Sequence, residues 1–168
     1  AGDQIQNRVV AIKDPDFPNF QATTEATADD LVEVVEEVTT CPASTAAGWY
    51  VNLASNAKVS AKLTIKSEVL FVPTYTPDAS DVCAPGVGNL YERDYQCGGV
   101  LAGGSHNLGE GVPTQVVAFK DKIYIGVSGS QSDAASQPGW VKIDNIIVGT
   151  PSSGGYSAGR TVIDGWRL

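Results

Sequence analysis

A chain of 168 residues is long enough for one domain with a sizeable core. Its 18 glycines, 9 prolines and lack of methionine, with few helix-favouring runs, point to a turn-rich, all-β protein. A formal charge of -8 argues against nucleic acid and anionic membrane surfaces as partners, because both select a basic face; no apolar run approaches the roughly 20 residues of a membrane-spanning helix.

No charged-then-apolar leader opens the chain, so Ala1-Gly2-Asp3 reads as a mature or internally cut end. Arg8 to Lys13 is an apolar-rich strand. The segment from Asp14 to Phe20 is a turn broken by Pro15 and Pro18. Asp14, Asp16 and Asn19 offer oxygen atoms to calcium, but the alternating loop with its glycine and distal glutamate is absent, and a solvated turn is expected. Ala28 to Val38 reads as one short α-helix. Thr27 is placed to cap it, Asp29 and Asp30 favour its first turn, and Leu31, Val34, Val35 and Val38 form one apolar face. Glu33 and Glu37 stand one turn apart, yet no histidine or cation accompanies them, so they read as a solvated face rather than an acid–base pair.

Gly48 to Leu53 and Lys58 to Ile65 read as strands, the second by alternation at Val59, Ala61, Leu63 and Ile65. The stretch from Leu63 to Leu101 is then two strands and a long loop. The first strand alternates at Val69, Phe71, Pro73 and Tyr75, and the second covers Asn89 to Tyr95. Pro77, Asp78, Ser80, Asp81, Pro85, Gly86 and Gly88 interrupt them. Leu101 to Gly111 is glycine-rich with His106, and reads as a surface loop, since no helix follows to complete a phosphate cradle. Pro113 to Phe119 and Lys122 to Val127 form a hairpin about Lys120-Asp121. Trp140 to Ile143 and Asn145 to Gly149 are further strands. Pro151 to Gly159 is a Ser/Gly segment, and Arg160 to Trp166 ends the chain with Trp166 as an anchor.

Three cysteines are an odd count. Cys83 and Cys97 are read as bracketing a hairpin, so a Cys83–Cys97 disulfide is the expected pairing, contributing roughly 3 kcal/mol and implying an oxidising compartment. Cys41 is left buried or paired with another polypeptide; three reduced, buried thiols are the alternative. With no Cys-x-x-Cys and a single histidine, zinc and c-type haem are not expected.

Several segments together resemble the C-terminal β-propeller of PilY1-type proteins, the tip and assembly factors of type IV pili. They are Val69 to Pro77, Cys83 to Gly88, Asn89-Leu90-Tyr91 with Asp94-Tyr95 and Gly98-Gly99, Asn7 to Asp14, Gly48 to Leu53, and the Gly165-Trp166-Arg167-Leu168 ending. The resemblance covers most of the chain in the family's order. It implies one domain over residues 1–168, built of propeller-like blades of antiparallel strands. Strand, turn, strand and long loop recur about every 50 residues, giving about three units where a closed propeller needs four. The expectation is therefore a partial propeller, the C-terminal portion of a larger assembly. The family's calcium loop has no counterpart, so no cofactor is expected.

The resemblance implies a non-enzymatic pilus-tip adhesin or assembly factor, outside the cell on the pilus or bacterial surface. Its partners are pilins, minor pilins or the remainder of the propeller. Tyr75, Asp78, Asp81, Tyr91 and Tyr95 are candidates for binding, although Tyr91 and Tyr95 share a strand face and read as packing residues. Catalysis by Ser105 and His106 is not expected from neighbours in a loop. Two other readings are a structural subunit of an extracellular filament and a fragment of a quinoprotein-dehydrogenase-like propeller.

Overall fold

The structure is a computed structural model that describes residues 6–13, 27–35, 41–43, 45–81, 83–129 and 138–152. The described residues form three sheets, none closed into a barrel. The alternating hydrophobic strands and turn-rich composition thus resolve as an all-β fold.

The middle sheet is built on the central hairpin. Strand β6 (Val69–Thr76) pairs antiparallel with β7 (Val87–Asp94), running in register from Val69 opposite Asp94 to Thr76 opposite Val87. Two short strands, β4 (Lys58–Val59) and β5 (Thr64–Lys66), share the other edge of β6. Pro73 lies where these two pieces break, its carbonyl accepting from Ser60 N at 3.0 Å. A residue without an N–H fits a central strand there, opposite the gap in the ladder.

On the far side of β7 runs β8 (Val100–Glu110), an eleven-residue strand with register shifts against β7. The expected surface loop is therefore a strand, and His106 is buried within it. Its glycines serve the bulged ladder. Gly103 and Gly109 take left-handed φ values of 72° and 86°, and a Cβ on Gly104 would come within 2.6 Å of the Glu92 carbonyl oxygen.

The second sheet holds three strands: β1 (Arg8–Ile12), β3 (Gly48–Asn52) and β2 (Leu31–Glu33), with β3 in the centre. The β2–β3 pairing is parallel. Here the expected α-helix over 28–38 is corrected. Its cap forms, because Thr27 N and Oγ1 donate to Asp30 Oδ2 at 2.9 and 2.8 Å, which holds the Asp30 carboxyl below its usual range. The helix then lasts only a 3-10 turn over Ala28–Asp30. Val32, Val34 and Val35 are stiff, β-branched residues that suit an extended chain, and Val34 N donates to Tyr50 O at 2.8 Å. Val38 and Glu37 lie outside the described residues, as do Asp14, Asp16 and Asn19 and the segment from Arg160 to Trp166.

The third sheet joins two tight hairpins, β9 (Val117–Phe119) with β10 (Lys122–Gly126) and β11 (Val141–Ile143) with β12 (Ile146–Gly149), in the order β11-β12-β10-β9.

The sheets stack as three layers. On β6, Val69 and Phe71 face the four-stranded sheet and meet Ile123, Ile125, Trp140 and Ile147. Leu70 and Val72 face the three-stranded sheet and meet Val9, Trp49 and Val51. The middle strand is consequently buried on both faces, which is why its sequence runs nearly continuously apolar.

A tryptophan over a glycine tightens the contact with the three-stranded sheet, and a second such pair lies within the four-stranded sheet. Gly98, at a left-handed φ of 75°, leaves so little room that a Cβ would lie 2.7 Å from Trp49 ring carbons. A Cβ on Gly149 would lie 2.7 Å from the Trp140 ring.

Candidate interaction surface

Disulfide pairing departs from the sequence expectation. Cys97 bonds Cys41, and Cys83 is a free, exposed thiol. The eight residues of β7 separate Cys83 from Cys97. At about 3.3 Å per residue the strand holds its ends about 23 Å apart, beyond the roughly 7 Å limit for bridged Cα atoms. Cys41 precedes β3, so the bond fastens the three-stranded sheet to the β7–β8 turn of the middle sheet. That turn is fixed further by Asp94 Oδ1, which accepts from Gln96 N and Cys97 N at 2.9 and 2.8 Å, and by Arg93 Nη1, which donates to Gly98 O at 2.9 Å.

The loop between β6 and β7 is organised by its own candidates. Asp78 Oδ1 accepts from the Ser80 hydroxyl, Ser80 N and Asp81 N, which lowers its carboxyl below the usual range, and Asp81 Oδ1 accepts from Cys83 N. The Tyr75 hydroxyl accepts from Gly86 N at 3.2 Å. Tyr91 and Tyr95 pack against the core shared with the three-stranded sheet.

A buried polar centre lies between the middle and four-stranded sheets. Glu92 is fully buried, and its Oε1 is 3.3 Å from His106 Nε2. Its Oε2 accepts from Ser152 N at 2.6 Å. The His106 ring stands 4.2 Å from the Trp140 ring, centroid to centroid. The group thus clasps two strands of the middle sheet to both flanks of the β11–β12 hairpin. Ser105 and His106 are successive strand residues opposite Tyr91 and Leu90, and so project to opposite faces. They cannot form a nucleophile–base pair in this arrangement. Among the described residues, no three His, Cys, Asp or Glu side chains converge on a metal position.

What the fold presents outward is more telling. Val141, Val148, Tyr124 and Val117 are aligned across all four strands of the four-stranded sheet. Ile143 and Ile146 flank this row at one end and Phe119 at the other. Val117 and Phe119 are each 60% exposed, Val141 58%, Ile143 57% and Ile146 47%. A solvated antiparallel sheet face is ordinarily polar, and a contiguous apolar face of this kind marks a contact surface. Sequence reasoning missed it. The signal was the lack of alternation in Ile123-Tyr124-Ile125 and Ile146-Ile147-Val148, where both sets of side chains are apolar.

The outer face of the three-stranded sheet differs. Ile12, Val10 and Leu31 provide apolar area beside a polar network. In it Arg8 Nε donates to Asn52 Oδ1 at 2.9 Å, Arg8 lies 4.8 Å over the Tyr50 ring, and Glu33 accepts from Asn52 Nδ2 and the Tyr50 hydroxyl. No family model, no curated protein and no solved structure matches the chain, so the two outer faces carry the functional reading.

Proposed function

We propose that the chain is a non-enzymatic binding and assembly module of an exported, pilus-associated protein of the PilY1 type, acting outside the cell. The observation that carries a binding role is the apolar outer face of the four-stranded sheet, whose central row repeats the chemistry of the buried layers. The Cys41–Cys97 bond suits an oxidising environment. Pilus association rests on the sequence resemblance. Its partners are pilins, minor pilins or the remaining blades of a propeller, which would cover the open face.

Purified type IV pili from the encoding organism provide the test. The protein is expected to co-sediment with them, and a Val117→Lys/Val141→Lys variant to remain in the supernatant while folding normally. Equal sedimentation of both would remove the face from the reading; sedimentation of neither would remove pilus association.

A further inference from the structure

We propose that copies of this chain stack head to tail, the outer face of the four-stranded sheet of one copy seating on the outer face of the three-stranded sheet of the next. This rests on the same outer face as the pilus reading: copies stack through it, and the terminal copy of a stack keeps it free for a pilus component.

The first argument is continuity. Within the chain, each layer packs on its neighbour through an apolar sheet face. Among the described residues the stack is open at both ends, and both ends expose apolar strand residues: Val117, Phe119, Val141 and Ile143 at one, Val10 and Ile12 at the other, with Ile12 66% exposed. Seating one end on the other continues the same packing by one layer.

The second argument is charge. At the Phe119 end of the four-stranded face, Lys120 and Lys122 outnumber Asp121, while Lys142, the partner of the buried Ile147, projects to the opposite side of the sheet. Lys120 and Lys122 ring its Phe119 end, with Lys120 Nζ 5.5 Å from the Phe119 ring. Around the three-stranded face, Asp29, Asp30 and Glu33 outnumber Arg8 and Lys13 among the described residues. Asp29 and Asp30 stand at its Ile12 end, because Leu31, which follows them, shares Gly48 as a partner with Ile12. Unlike faces therefore oppose lysines to carboxylates, whereas two copies of the four-stranded face would oppose lysine-rich rims.

Size sets the strength. Four strands about 4.8 Å apart and three to five residues long present a footprint of about 300 Å², below the roughly 800 Å² per partner of a standard interface. Association is accordingly expected to rise with concentration rather than to be stoichiometric. A head-to-tail contact either closes a ring or extends a filament.

Sedimentation velocity over a concentration series tests this on three proteins: the wild type, a Val117→Lys/Val141→Lys variant and an Ile12→Lys variant. These positions are exposed, and circular dichroism checks each fold. The wild type is expected to form species beyond a dimer. Each variant alone is expected to stay monomeric. Their mixture is expected to form a one-to-one heterodimer and nothing larger, since each supplies the face the other has lost. A wild type monomeric to millimolar concentration would overturn the proposal. So would self-association of the Ile12→Lys protein, which would mean like faces meet. Should a variant misfold, carbodiimide cross-linking of the wild type decides: the proposal requires intermolecular links from Lys120 or Lys122 to Asp29, Asp30 or Glu33, and is overturned by their absence.

Discussion

Replacing His106 with alanine, or Glu92 with alanine, is expected to lower the unfolding free energy by about 2–4 kcal/mol, the combined cost of a cavity in the core and of a buried polar partner left unmatched. Both residues sit between packed sheets, Glu92 without solvent exposure, and the carboxylate serves two elements at once: the imidazole on β8 and the Ser152 amide beyond β12. Loss of His106 leaves the buried Glu92 carboxyl group with a single described donor and opens a gap beside Trp140. Loss of Glu92 strands the Ser152 N–H as well. A Glu92→Leu/His106→Leu double variant removes both polar groups and fills the volume, and it is expected to regain most of the loss, because replacing both partners by apolar groups of similar shape can be nearly neutral. Urea titrations of the three variants measure this. A cost below about 1 kcal/mol for His106→Ala would show that the clasp contributes little.

The second large effect belongs to the Cys41–Cys97 bond. It closes a loop with a sequence separation of 56. Loop-closure entropy for that length gives about 4 kcal/mol, which for a domain of this size lowers Tm by about 8–16 °C. Cys97→Ser and Cys41→Ser are each expected to show this drop. Cys83→Ser is expected to leave Tm unchanged, and in the native wild type only Cys83 should react with an alkylating agent. Calorimetry with and without reductant, alongside mass analysis of the alkylated protein, tests both statements. A drop for Cys83→Ser matching that for Cys97→Ser would contradict the pairing.

Much of this fold was legible because its strands end in strong punctuation. Pro77 to Gly86 interrupts the central hairpin, and Lys120-Asp121 and Asp144-Asn145 mark the two tight ones. Three features were not legible, for separate physical reasons. Leu31, Val34 and Val35 fit a helical stripe as well as a strand, and only tertiary pairing with β3 chose between them. β8 was disguised by Gly103, Gly104 and Gly109, which local rules assign to a loop but which a bulged strand beside Glu92 requires. The exposed apolar face was hidden because a strand apolar on both sides announces two coverings, while the sequence does not say that one side is left exposed among the described residues.

The cysteine connectivity also carries a consequence for biogenesis. On the export route proposed above, a chain threaded N-terminus first would expose Cys41, then Cys83, and only later Cys97. An oxidant acting on residues as they emerge joins the first two and produces a bond the folded protein does not contain. The native layers cannot assemble around that linkage, since Cys97 must reach Cys41 while its own turn docks beneath Trp49. Maturation on that proposed route would therefore call for thiol–disulfide exchange and not oxidation alone, and Cys83→Ser is expected to mature faster by removing the early competitor.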